Sequence, residues 1–78
     1  MRRVTRQFAL CLENRGNEAS LIRGKVYRIL PDVHAAKDGL IRVIDESGED
    51  YLFAKKQFAF VNLSQAVKRR MLAIERAS

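Results

Sequence analysis

The sequence predicts a mainly β domain of five short strands finished by one amphipathic helix. Three observations lead there. Residues 39–53, GLIRVIDESGEDYLF, read as two strands folded back through a tight turn. The runs FALCL (8–12) and KVYRIL (25–30) are short, apolar, and bounded by Asn, Gly and Pro, the usual frame of strands. From residue 62 the apolar period changes to that of a helix, with Leu63, Val67, Met71 and Ile74 spaced by four, four and three.

The elements follow in order. FALCL is continuously apolar, the pattern of a strand buried on both faces. A long irregular connection, 13–24, carries Asn14, Gly16, Asn17, Ser20 and Gly24, with Ala19 and Leu21 as its expected inward anchors. KVYRIL sets Tyr27 and Ile29 on one face and Val26, Arg28 and Leu30 on the other. Pro31, which has no amide proton, ends it. Residues 31–39 suit one turn of helix, with Asp32 as N-cap and Gly39 as left-handed stop.

In the hairpin, Asp45 takes position i and Gly48 position i+3 of a type I turn. A three-residue loop with a bulge at Gly48 sets Val43 opposite Tyr51 and Ile41 opposite Phe53, gathering four large apolar side chains on one face. A two-residue loop would slip the register by one and turn Leu52 inward instead. AKKQF (54–58) suits a 3₁₀ turn and AFV (59–61) a brief last strand. Asn62 with Gln65 has the spacing of a capping box, so the helix is expected over about 63–76, with its stripe covering the second face of FALCL.

The chain has 78 residues, enough for one domain with a small core. Its longest apolar run is far too short to span a membrane, and no signal-peptide pattern is visible at the N-terminus. One cysteine, Cys11, leaves no internal disulfide; a reduced, cytoplasmic setting is the expectation. Net charge is +6. Between Phe8 and Asn62, eight basic residues balance eight acidic ones. The excess lies at the two ends, on Arg2, Arg3, Arg6, Lys68, Arg69, Arg70 and Arg76, against Glu75.

The order strand, long open loop, strand, loop, hairpin, 3₁₀ turn, short strand resembles the Src homology 3 domains. Leu21 to Gly24 is similar to their diverging turn, residues 39–53 to their distal hairpin, and AKKQFAFV to their 3₁₀ turn and final strand. The resemblance implies a Src homology 3-like small five-stranded β-barrel over about 6–61, followed by the C-terminal amphipathic α-helix. The chain also resembles a group of small bacterial proteins that share Gly24-Lys25-Val26-Tyr27, Pro31-Asp32 and the hairpin from Ile41 to Leu52. That group brings no established activity. The first strand lacks the tyrosines that line a proline-rich-peptide groove, and the chain has no tryptophan, which argues against that kind of peptide binding.

No catalytic constellation, metal-ligand spacing, cofactor motif or small-molecule site stands out. Cys11 lies in an apolar run, where a thiol is ordinarily inert packing. His34 is the only histidine, with no second ligand near it in sequence. Asp45, Glu46, Glu49 and Asp50 match no calcium loop and read as a solvated hairpin tip. Two functions of different class remain for a non-catalytic binding module. In one, Arg2, Arg3, Arg6, Lys68, Arg69 and Arg70, with Lys55 and Lys56 from the turn, hold nucleic-acid phosphates. Most of the six aromatics are expected in the core, which disfavours base stacking. In the other, the helix or the acidic hairpin docks a protein partner, including a second copy of the chain.

Overall fold

The computed structural model describes residues 7–77. Its strands are β1 (Gln7–Cys11), β2 (Val26–Leu30), β3 (Leu40–Ile44), β4 (Asp50–Ala54) and β5 (Phe58–Val61). Helix α1 (Val33–Lys37) lies between β2 and β3, a 3₁₀ turn (Lys55–Gln57) joins β4 to β5, and α2 (Gln65–Ala77) ends the chain. All five strands form one antiparallel sheet in the order β4-β3-β2-β1-β5.

That order makes β4 and β5 the two outer edges, yet only three residues separate them in sequence. In a flat sheet, four strand spacings would hold the edges about 19 Å apart. Instead the Phe53 ring on β4 and the Phe58 ring on β5 have centroids 6.3 Å apart. The sheet is therefore strongly rolled, although no ladder joins β4 to β5 and it stays open.

Rolling gives the sheet a concave face, and the core fills it. Ala9 and Cys11 of β1, Tyr27 and Ile29 of β2, Ile41 and Val43 of β3, Phe53 and Phe58 pack with Leu21 from the long connection. Leu21 is fully buried and Asn14 Nδ2 donates to its carbonyl at 3.0 Å. Ala19, the other expected anchor, is exposed. One plug suffices, because the short Asn17–Leu21 turn, closed by Leu21 N–H to Asn17 O at 2.9 Å, can aim only one of the two inward.

The hairpin takes the bulged register. Ile41 faces Phe53, Val43 faces Tyr51, and the Gly48 amide donates to Asp45 O at 3.0 Å. Gly48 has φ 85°, the left-handed conformation the bulge demands. Tyr51 lies on the core face but is 48% exposed, because it is one pair from the turn and passes beyond the rolled core. Helix α1 is capped by Asp32, whose Oδ1 accepts from Ala35 N–H at 3.0 Å.

The last helix departs from expectation twice. Ser64 caps it, accepting from Val67 N–H at 3.2 Å, so it starts two residues later than an Asn62 cap requires. Of the expected Leu63-Val67-Met71-Ile74 stripe, Leu63 and Met71 are half-buried, with Lys68 and Leu72 beside them, while Val67 and Ile74 are exposed. The main packing contacts join strand to strand and α1 to β3, not α2 to β1, yet the opposite face of β1 is shielded at one end. Phe8 is 1% exposed and Leu10 half-buried, and burying such a phenylalanine stabilises by about 1.5–3 kcal/mol.

Among the described residues no helix is long and apolar enough to cross a membrane. A Cβ at Gly48 would meet open space, so only backbone strain opposes substitution there. Gly48→Val is expected to lower stability by about 1 kcal/mol or more. Urea denaturation checks this; an unchanged midpoint would show that the turn does not depend on positive φ.

Candidate functional site

The acidic hairpin tip becomes a set of engaged carboxylates. Asp45 is buried at 6% exposure and accepts from Ser47 N–H at 2.8 Å and Ser47 Oγ at 2.5 Å, an Asx-type closure of the turn. Asp50 pairs with Arg42 Nη1 at 2.9 Å, and Arg42 Nε reaches Asp32 at 2.9 Å. Asp32 is held below the ordinary carboxylate range, first by the Ala35 amide and then by Arg42. Tyr51 donates to Glu49 at 2.8 Å, which raises the pKa of that phenol.

Glu46 is the structural centre of the tip. The ladder between β2 and β3 is limited to Ile29–Val43 and Leu30–Arg42. Past it the strands splay around a cleft of about 450 Å³ lined by Lys25, Tyr27, Arg28, Ile44 and Glu46. A polar chain spans this gap. Ile22 N–H donates to Tyr27 Oη at 2.8 Å, Tyr27 donates to Glu46, and Lys25 Nζ lies 2.6 Å from Glu46. The Glu46 amide also donates to Ser20 O at 3.0 Å. Lys25 and Tyr27 together hold the Glu46 carboxyl below its usual range, while burial and Glu46 push the Tyr27 phenol well up.

Among the remaining candidates, Cys11 is buried and its thiol pKa is raised, chiefly by burial, the opposite of an activated nucleophile. His34 is exposed on α1. Among the described residues no group of three or more His, Cys, Asp or Glu could hold a metal ion.

The basic residues fall into two clusters. Lys55 and Lys56 stand exposed on the 3₁₀ turn, whose short link across the sheet edges leaves no room for them inside. On α2, Arg69 and Arg70 are exposed and Lys68 is half-buried. Arg2, Arg3 and Arg6 lie outside the described residues.

Beside the first cluster is an exposed aromatic, although most of the six were expected in the core. Phe60 is 46% exposed, and Lys55 Nζ lies 6.0 Å from its ring centroid, within cation–π range. Phe60 shares the concave face with Phe58, since Cys11 faces Phe58 and Ala9 faces Phe60. Phe58 is buried against Phe53, whereas Phe60, two residues farther along β5, is left exposed. The edge position of β5 was the available signal. Lys55 also rims two depressions. One is a shallow groove of about 670 Å³ with Leu40, Ala54 and Phe58 in its floor and Lys56 on its margin. The other is a cleft of about 120 Å³ that includes Phe60, Ile29 and Arg42.

The Glu46 network predicts a pH dependence. A carboxyl whose folded pKa lies below its unfolded value adds stability that is present above the unfolded pKa and lost as pH falls through the folded one. Glu46→Gln is therefore expected to lower stability at neutral pH and to flatten the acid limb of the stability–pH curve, measured by thermal melts from pH 7 to pH 3. A mutant curve parallel to wild type would mean that Glu46 carries no such linkage.

No known protein family, curated protein or solved structure matches this chain, so its function is read from its own residues.

Proposed function

We propose that this chain is a non-catalytic binding module, a Src homology 3-like small barrel, that holds nucleic acid through phosphate contacts. The observation that carries it is the grouping of Lys55, Lys56 and the exposed Phe60 at one corner of the rolled sheet. Cations beside an exposed ring can meet both a phosphate and a base, and base–aromatic stacking is tolerant of sequence. Arg69 and Arg70 on α2 add exposed positive charge. The strand order, the 3₁₀ turn before β5 and the rolling of the sheet support the barrel assignment. A cytoplasmic setting fits the single buried, unpaired cysteine.

Binding of this kind is weak, indifferent to sequence and steeply salt-dependent, because counterion release supplies the free energy. Fluorescence anisotropy with labelled single-stranded and duplex oligonucleotides over a salt series tests it. The logarithmic slope is expected to be about 0.7 per phosphate on single strands and about 0.9 on duplex. Replacing Lys55, Lys56, Arg69 and Arg70 by Gln removes charge while keeping helix propensity on α2, and flattens that slope by up to about 3–4 units. Phe60→Ala weakens single-strand binding by about 1–3 kcal/mol while leaving the slope unchanged. Absence of binding to DNA and RNA at low salt would overturn the proposal.

A further inference from the structure

Strand β4 is a sheet edge, and among the described residues it pairs only with β3. Asp45 N–H donates to Glu49 O at 3.0 Å, and Lys55 N–H donates to Gly39 O at 2.9 Å. Both bonds fall in the register that sets Ile41 against Phe53 and Val43 against Tyr51. Antiparallel pairs alternate between bonded and non-bonded, so Glu49, Tyr51, Phe53 and Lys55 direct their backbone groups at β3. Asp50, Leu52 and Ala54 turn theirs to the open edge. That edge also exposes Tyr51 at 48% and Leu52 at 42%, a template for pairing with another strand.

We propose that two copies of the chain pair antiparallel along β4, about a two-fold axis through Leu52. In this register Leu52 exchanges both hydrogen bonds with Leu52 of the second copy, and Asp50 and Ala54 pair with one another across the interface. Registers centred on Tyr51 or Phe53 set Ala54 or Asp50 opposite a turn residue instead.

Charge enters only after the backbone has chosen the register, and it agrees. Glu49 falls directly opposite Lys55 of the second copy, in a close non-bonded pair. The two-fold axis repeats each contact, as a self-complementary interface requires. Parallel pairing would set like against like at the same positions. Glu49 already accepts from Tyr51 and Asp50 from Arg42, and a carboxylate retains acceptor capacity beyond one such bond. The interface stands independently of the nucleic-acid proposal. Both use Lys55, so oligonucleotide and self-pairing compete.

Sedimentation of the full chain over a concentration series, without nucleic acid and at two salt concentrations, tests the interface. A reversible monomer–dimer equilibrium weakened by salt is expected. Glu49→Lys and Lys55→Glu should each raise the dissociation constant roughly tenfold or more, since two attractive cross-strand pairs become repulsive. The double exchange should restore it to near the wild-type value. Leu52→Pro removes the central donor on the solvent-facing side of an edge strand, where proline is tolerated, and should yield a folded monomer by circular dichroism. A wild-type protein monomeric at every soluble concentration would overturn the interface. So would a dimer indifferent to the charge exchanges, or a double exchange without rescue. Should the proline variant unfold, the charge exchanges still decide.

Discussion

A three-residue turn joins the two strands that lie farthest apart in the sheet, and this short tether shapes the rest of the molecule. Strands β4 and β5 cannot be neighbours across Lys55–Gln57 unless the sheet rolls. Rolling creates a concave face that a five-stranded sheet fills with its own side chains. A chain of 78 residues thereby obtains a core without a second layer over that face. Leu21 plugs the core from the long connection and is fully buried. The same tether holds Lys55 and Lys56 outward at the corner and leads into β5, where Phe58 is buried and Phe60 exposed.

The roll has a counterpart at the other end of β2 and β3, where the ladder stops after two residue pairs. There the sheet is held by side chains. Tyr27 and Lys25 grip Glu46, and the Glu46 amide is tied to Ser20. This joins the hairpin turn to the long connection that supplies Leu21. The hairpin acids are therefore largely structural. Asp45 closes the turn, Glu46 bridges the gap, and Asp50 joins Arg42 and Asp32 in a network that also steadies the cap of α1. Charges that look free in a sequence are spent on geometry wherever strands must diverge.

Local devices were legible in the residues because their causes lie within a few positions of each other. The Gly48 bulge set the hairpin register, Asp32 capped α1, and alternation sorted Tyr27 and Ile29 from Val26 and Arg28. Reading failed where two local solutions competed and packing chose between them. Ala19 and Leu21 were both expected inward, yet only Leu21 is buried, and the cap expected at Asn62 is taken by Ser64. The helical period picked out Leu63 and Met71, which are half-buried, but could not say that Lys68 and Leu72 would be shielded while Val67 and Ile74 stay exposed.

By itself the sequence determined a mainly β chain with a C-terminal helix, the pairing of its central hairpin, and a charge excess confined to its ends. These follow from turn chemistry, side-chain period and composition, which act over a handful of residues. The tertiary structure alone decided that Phe60 is exposed beside Lys55, that the hairpin acids are engaged, and that Asp50, Leu52 and Ala54 face an open edge. Those outcomes depend on which strands become the edges and how far the sheet rolls. Both are set by contacts between residues distant in the chain, which no local pattern records.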